Sequence, residues 1–188
     1  SMEKNRFLDS IDTVVEERLS RAKKVTTEVF FIDDFSGYYY AKVIVVGTED
    51  SGKPGMIEIY SKKNNRKLLS VNSEKVDYGF NYSEVKANNR LMYEGQSLII
   101  YEDFNFDGIK DFAFLDGVYS SYAYPSHKVY LTLNRKFVYN RKLTKLVRNN
   151  LGMFDVDRKR KVISLYNKSG CCYRDYKEYK VINNSPVL

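Results

Sequence analysis

Residues 101–114 read YEDFNFDGIKDFAF, and the pattern of this segment is the strongest indication of the fold. Both ends of the segment are aromatic and strand-like, whereas its middle is polar. Aromatic residues fit the pleated surface of a sheet, and Gly108 permits a sharp turn. The polar part carries four oxygen-bearing side chains: Asp103, Asn105, Asp107 and Asp111. The segment therefore predicts two antiparallel strands joined by a loop that gathers oxygen atoms.

The oxygen donors follow the pattern D-x-N-x-D-G-x-x-D, with Gly108 at the sixth position. Calcium loops use this spacing, and the backbone carbonyl of Ile109 would add a ligand. An EF-hand has Glu at its twelfth position, but Phe114 stands there and strands flank the loop. We predict a static structural Ca²⁺ site, with Asp116 as a candidate extra ligand, and the alternative is a metal-free turn held by Asx hydrogen bonds. Four apolar side chains are expected to turn toward the core: Phe104, Phe106, Ile109 and Phe112.

The rest of the chain after residue 25 shows the same strand character. Short runs with a period of two are separated by Gly, Asn and Ser, and the chain has 17 Tyr and 11 Phe without Trp. In residues 127–134, HKVYLTLN, alternation predicts a strand of a half-solvated sheet. Residues 140–151 fit either a short helix or a strand, and the last six residues are expected to form a loose tail. The predicted class is mainly β, with antiparallel strands in a curved sheet, a sandwich or a small barrel.

The N-terminal segment has a different period. Residues 7–22 place apolar side chains at spacings of three and four, which predicts an amphipathic helix that packs on the sheet. The expected organisation is an N-terminal helix over residues 1–25 and a single β-rich domain over residues 26–188. No stretch is long and apolar enough for a membrane span, and no signal-peptide core is present. Ser1-Met2 resembles the remnant of a cleaved tag, so this start is no guide to export.

Positive charge is concentrated in the C-terminal third. From Lys128 to Leu188 there are 15 Lys and Arg against 4 Asp and Glu, which gives this part a net charge of +11. The net charge of the whole chain is +7, so the remaining residues carry −4. Such a surface is either simply solvated or faces an anionic partner. We predict no nucleic-acid binding, because no recognised reading motif accompanies the charge.

The sequence gives no positive sign of catalysis. His127 is the sole histidine, and no nucleophile motif or phosphate-binding loop accompanies it, so we expect it at the surface and predict no enzyme activity. A glycosidase with paired carboxylates is the catalytic alternative. Cys171 and Cys172 are adjacent, and they are either buried inert thiols or a strained vicinal disulfide. Their number and spacing do not suit zinc.

Residues 101–181 resemble the calcium-loop envelope proteins that act as immunity proteins against secreted peptidoglycan-hydrolase toxins. The fold of these proteins is similar to that of the periplasmic lysozyme inhibitors of the invertebrate-type class. The resemblance rests on four blocks in order: the calcium loop, the strand with VYL, the run LGMFDVD and the run KSGCC. Residues 1–98 carry no motif that belongs to the family.

The resemblance implies a stoichiometric inhibitor that blocks a cell-wall hydrolase in the periplasm and contains calcium. The cytoplasm is the alternative location. Ser36-Gly37-Tyr38-Tyr39 is similar to the S-G-x-Y loop of such inhibitors, which implies partner contacts for Ser36 and Tyr39. The loop at residues 117–127 offers three further tyrosines that either anchor a partner or cover the sheet: Tyr119, Tyr122 and Tyr124. A rival function is a polysaccharide- or surface-binding module without a toxin partner.

Overall fold

A computed structural model describes residues 26–47, 54–76, 87–88, 90–91 and 95–188. The predicted helix over residues 7–22, and with it the division at residue 25, lies outside these ranges. Fourteen strands are formed in the described residues. They are β1 (Thr26–Ile32), β2 (Tyr39–Gly47), β3 (Gly55–Ser61), β4 (Lys67–Ser73), β5 (Arg90–Leu91), β6 (Gly95–Gln96), β7 (Ile99–Glu102), β8 (Asp111–Gly117), β9 (Ser126–Leu133), β10 (Lys136–Tyr139), β11 (Asp155–Asp157), β12 (Val162–Ser169), β13 (Tyr173–Ile182) and β14 (Ser185–Val187).

The strands form three four-stranded antiparallel sheets rather than one continuous sheet. Their orders are β1-β2-β3-β4, β10-β9-β8-β7 and β11-β12-β13-β14, and β5 and β6 form a separate pair. The mainly β class and the antiparallel pairing are thus confirmed. Within the described ranges no sheet closes on itself, so the small-barrel alternative is wrong. The reason is that each run of strands pairs only with its neighbours in sequence, as short hairpin connections favour.

Two hydrophobic clusters show how the sheets are layered. The first cluster joins β1 to β4 with one face of the middle sheet, through side chains such as Ile57, Phe112 and Phe114. The second joins the opposite face of the middle sheet to the C-terminal sheet, through side chains such as Val129, Leu131 and Ile163. The middle sheet is therefore covered on both faces, and every residue of β8 is buried.

This layering corrects one expectation. Alternation along β9 is as predicted, because Val129 and Leu131 lie in the second cluster while Tyr130 packs against the first. The expected solvated face is absent, however, since Thr132 is buried and Tyr130 contacts Phe114 edge to face. The alternation along β9 shows which side chains share a face of the sheet, but it does not show that other sheets cover both faces.

A helix, α1 (Arg141–Arg148), resolves the ambiguity of residues 140–151 in favour of the helical alternative. Asn140 caps it, because its Oδ1 accepts a hydrogen bond from Leu143 N at 2.9 Å. Leu143 and Val147, four residues apart, enter the second cluster. No helix in the described part of the chain has the length and apolar character needed to cross a bilayer.

The C-terminus is a hairpin rather than the expected loose tail. Asn183 and Asn184 both have positive φ, at 50° and 59°, and they turn the chain so that β14 pairs with Lys180–Ile182 of β13. Asparagine tolerates this left-handed backbone better than most residues, so the Asn-Asn pair was a turn signal. The hairpin matters because Asn184 contacts the loop between β7 and β8, residues 103–110, which we call the polar loop.

Candidate functional site

The polar loop connects β7 to β8, and its side chains bind its own backbone. Asp103 Oδ2 accepts a hydrogen bond from Gly108 N at 2.9 Å, and Asp107 Oδ1 accepts one from Ile109 N at 2.8 Å. Asn105 Oδ1 accepts a third from Asp107 N at 3.3 Å. Gly108 has a φ of 87°, which a residue with a side chain rarely adopts. The loop is thus a tight turn in which the oxygen-bearing side chains fold inward.

Asp111 ties this loop to the middle sheet. Its carboxylate is fully buried and accepts hydrogen bonds from Phe104 N and Thr132 N, both at 2.8 Å. Burial, together with the negative charges of Asp107 and Asp103, raises the pKa of Asp111 to about 7. A positive charge in the loop would offset both effects.

The apolar side chains of the loop divide between core and solvent. Phe104 is fully buried and contacts Phe154 edge to face, and Phe106 packs against the second cluster. Ile109 is 51% exposed, so the expectation that it points to the core is wrong. It lies in a run of four exposed residues, 107–110, which includes Gly108. Its backbone carbonyl, which the calcium prediction requires, does not depend on that side chain.

Whether these residues fit calcium is tested by what their oxygen atoms already bind. Asp103 Oδ1 is buried and has no hydrogen-bond partner, which is the kind of atom that an ion would satisfy. Nevertheless, in the described residues no group of three or more His, Cys, Asp or Glu side chains has the arrangement of a metal site. The predicted donor set differs from such a group, because it also needs the Asn105 amide oxygen and a backbone carbonyl. Calcium therefore stays a prediction.

The C-terminal hairpin holds the loop from outside. Asn105 Nδ2 donates to Asn184 Oδ1 at 3.0 Å, and Asn140 Nδ2 donates to Asn184 O at 2.8 Å. The loop, the start of α1 and the last turn of the chain are therefore linked through one residue. Sequence reasoning missed this contact, because residues 79 positions apart give no local signal.

Asp116 lies at the other end of β8 and does not belong to the loop. It is buried, and its carboxylate forms ion pairs with Lys128, at 3.1 Å, and with Arg148. Both oxygens are thereby occupied, which corrects the interpretation of Asp116 as an extra ligand. Arg148 also lies over the ring of Tyr119, with Cζ 5.2 Å from the ring centroid.

The tyrosine loop, residues 117–127, follows β8 at this end. Tyr119 and Tyr122 are 45% and 58% exposed, whereas Tyr124 is half-buried. Tyr122 and Ala123 have φ values of 57° and 56°, in the left-handed region that residues with side chains seldom adopt. The loop is bound at several points, including Tyr119 N to Ser126 Oγ at 3.1 Å. It therefore presents two tyrosines from a backbone held by its surroundings.

The other predicted partner-binding segment, residues 36–39, lies at the start of β2. Ser36 accepts hydrogen bonds from Tyr38 N and from Lys62 Nζ, and it is exposed to an intermediate extent. The Tyr39 ring packs edge to face against Tyr101 and Phe137. The most exposed ring of this segment is that of Tyr38, at 76%. The contacts predicted for Ser36 and Tyr39 stay predictions.

His127 is buried, so its expected surface position is wrong. It stands on β9 opposite Leu115, and its Nε2 lies 2.9 Å from Ser97 O while Nδ1 has no hydrogen-bond partner. Burial lowers the pKa of His127 to about 4. The ring is therefore neutral at physiological pH and acts as a polar member of the core.

Cys171 and Cys172 lie in the turn between β12 and β13, not on a strand. Both are exposed free thiols with their Sγ atoms 2.7 Å apart. The alternative of buried inert thiols is therefore wrong, and the vicinal disulfide stays a prediction.

Comparison with known proteins adds information on the fold. No protein-family model matches the chain, and no curated protein matches it. The solved structure of a Xanthomonas type IV secretion system related protein is similar to this chain, with a TM-score of 0.51 and 17% sequence identity. The match covers 89% of this chain and 80% of that chain. At this identity the similarity concerns the fold.

Proposed function

We propose that the protein is a stoichiometric inhibitor, an immunity protein that binds and blocks a secreted bacterial cell-wall hydrolase without turnover. The observation that carries this proposal is the tyrosine loop, which exposes Tyr119 and Tyr122 from a constrained backbone. Tyrosines are large amphipathic anchors at protein interfaces, and a loop that is already ordered loses less entropy on binding. The resemblance of residues 101–181 to immunity proteins points to the same partner.

The calcium ion belongs to this proposal as a scaffold element. The side chains of Asp103, Asn105, Asp107 and Asp111, with the Ile109 carbonyl, would hold it. Calcium would supply the positive charge that compensates these carboxylates. The unsatisfied Asp103 Oδ1 and the raised pKa of Asp111 support this assignment. Since Asp111 also binds Thr132 N of β9, the strand that follows the tyrosine loop, the ion would stiffen the sheet from which that loop projects.

The fold similarity to a secretion-related protein supports the same proposed function. The similar solved structure belongs to a Xanthomonas type IV secretion system related protein, and a partner of secreted toxins would fit beside such a system. We propose the periplasm as the location, because structural calcium sites of modest affinity suit compartments rich in calcium.

The experiment begins with affinity capture from the native organism and identification of the bound hydrolase by mass spectrometry. Inhibition is then measured by turbidity loss of a peptidoglycan suspension with that purified hydrolase. Tyr119→Ala with Tyr122→Ala is expected to weaken inhibition about 30-fold or more, as for interface hot spots. Tyr139→Ala on β10 is the matched control, because Tyr139 is similarly exposed at 44%. Equal inhibition by both variants would remove the tyrosine loop from the interface.

A polysaccharide-binding module is the second candidate, and one surface favours it. Tyr166 and Tyr176 face each other across β12 and β13 with ring centroids 5.0 Å apart, and both are about half exposed. Lys168 and Arg174 pair two positions further along the same face. Cosedimentation with purified peptidoglycan, abolished by Tyr166→Ala and unaffected by Tyr119→Ala, would favour this function over inhibition.

A further inference from the structure

The tip of the hairpin between β12 and β13 contains the two adjacent thiols. Ser169 and Tyr173 are the last paired residues, so Gly170, Cys171 and Cys172 form the turn. Gly170 has a φ of 65°, and both cysteines are exposed. The sulfur atoms lie 2.7 Å apart and are open to reagents from solution. This tip is therefore a chemically accessible dithiol.

The same tip holds Tyr122 of the tyrosine loop. Gly170 N donates a hydrogen bond to Tyr122 Oη at 3.0 Å, and Lys168 Nζ lies 5.7 Å from the centroid of the Tyr122 ring. Tyr122 and Ala123 are in left-handed backbone conformations, which persist only where surrounding contacts impose them. The hairpin tip is one of these contacts, across 48 positions of sequence. We call the Gly170–Tyr122 hydrogen bond and the Lys168 contact the clasp.

We propose that Cys171 and Cys172 form a reversible thiol–disulfide site, and that closing this disulfide opens the clasp on Tyr122. The exchange partner is a small-molecule disulfide such as oxidised glutathione, or a protein disulfide of the same chemistry. The inference does not rest on the proposed inhibitor function, because it concerns only how the tip and the tyrosine loop are coupled.

The reaction is an ordinary thiol–disulfide exchange in two steps. The Cys171 thiolate attacks the disulfide of oxidised glutathione, which gives a mixed disulfide and releases one glutathione thiolate. The Cys172 thiolate then attacks the Cys171 sulfur of the mixed disulfide, which forms the Cys171–Cys172 bond and releases the second glutathione thiolate. Two electrons pass from the cysteines to glutathione, and the two cysteine protons pass to solvent and glutathione. The hydrogen bond to Cys171 raises the pKa of Cys172, and because both sulfurs are exposed the same exchange can also begin at Cys172.

Adjacency makes the bond reversible. The α-carbons of neighbouring residues are about 3.8 Å apart across a trans peptide, below the usual disulfide range of about 4.4–6.8 Å. A strained, exposed disulfide is more easily reduced than a structural one, as redox-responsive disulfides are. The site is therefore suited to respond to its redox environment rather than to lock the fold.

Oxidation changes the turn because the small ring that the disulfide closes restricts the φ and ψ angles on either side of the Cys171–Cys172 peptide bond. The amide of Gly170 lies next to that ring, and its direction depends on the local turn geometry. We expect its N–H to leave Tyr122 Oη when the ring closes. Tyr122 then loses its clasp, and the left-handed segment at Tyr122–Ala123 relaxes.

The experiment uses the full chain equilibrated in glutathione buffers from fully reducing to fully oxidising. Mass spectrometry after alkylation follows thiol loss, and hydrogen exchange followed by NMR measures protection of the Gly170 amide. We expect an oxidised monomer lighter by two hydrogens, in which the Gly170 amide exchanges about tenfold faster, as for a lost hydrogen bond. Two control variants give the fast and the slow limits of Gly170 amide exchange. Tyr122→Phe should exchange fast in both redox states, and the double variant Cys171→Ser, Cys172→Ser should exchange slowly in both.

Three results would overturn the proposal. The thiols would remain alkylatable in fully oxidising buffer, or covalent dimers would form in place of the oxidised monomer. Alternatively, the oxidised monomer would keep the slow Gly170 exchange of the reduced protein. Loss of inhibitory activity in an oxidised sample is not used as a readout, so failure of the inhibitor proposal leaves this test intact.

Discussion

Replacing Arg148 by Met tests the buried ion pair that supports the tyrosine loop. Asp116 is only 2% exposed and depends on Arg148 and Lys128 for charge compensation. Met keeps most of the apolar stem of Arg148 but removes its charge and hydrogen-bond donors. Asp116 is then left with Lys128 alone at 3.1 Å, and Tyr119 loses the cation over its ring.

The magnitude follows from these contacts. Breaking a buried ion pair costs about 3–5 kcal/mol, but Arg148 is 38% exposed and Lys128 remains, so we expect about 2–4 kcal/mol from this part. The cation–π contact adds about 0.5–1 kcal/mol because the site is partly exposed. For a chain of this size, each kcal/mol shifts Tm by about 2–4 °C. Tm is therefore expected to fall by about 5–20 °C.

The free energy of unfolding is measured by urea titration monitored by circular dichroism, and Tm is measured by calorimetry. Lys145→Met on the exposed side of α1 is the control, expected within about 1 kcal/mol of the unchanged protein. The double variant Arg148→Met with Asp116→Leu should be more stable than Arg148→Met with Asp116 intact, because no buried charge is left unpaired. A stabilising role of this ion pair is refuted if Arg148→Met costs less than about 1 kcal/mol, or if the effects of the two substitutions simply add.

Two further predictions concern the loop and the core. Adding Ca²⁺ to chelator-treated protein, at a free Ca²⁺ concentration of about 100 times Kd, should stabilise the protein by about 2.7 kcal/mol and raise Tm by about 5–11 °C. Asp107→Asn should reduce this rise in Tm. An unchanged Tm with saturating calcium would count against the ion. For His127, the native pKa of about 4 lies below the ordinary value of 6.5, so below pH 6.5 the unfolded state takes up a proton that the native state does not. The free energy of unfolding should therefore fall as the pH drops from 6.5 to 4, by up to about 3 kcal/mol from this residue. Urea titrations across this pH range should show that the His127→Gln variant lacks this pH-dependent part. Parallel pH profiles for the two proteins would contradict the buried neutral ring.

Local features of the chain were accessible to sequence reasoning wherever they depended on residues close together. The period of two after residue 25 gave the strands, and the spacing of Asp103, Asn105 and Asp107 gave a turn in which these side chains fold inward. The helical alternative for residues 140–151 was present in the spacing of Leu143 and Val147. In each case, backbone geometry relates neighbours along the chain directly.

Only the tertiary structure determined which distant residues these local features contact. Alternation on β9 shows which side chains share a face, but only the stacking of three sheets covers both faces and buries His127. The pairing of Asp116 with Arg148 joins positions 32 apart, and the contact between Tyr122 and Gly170 joins positions 48 apart. Such contacts arise from the packing of whole elements, whose free energy depends on shape and charge across the fold rather than on spacing in sequence.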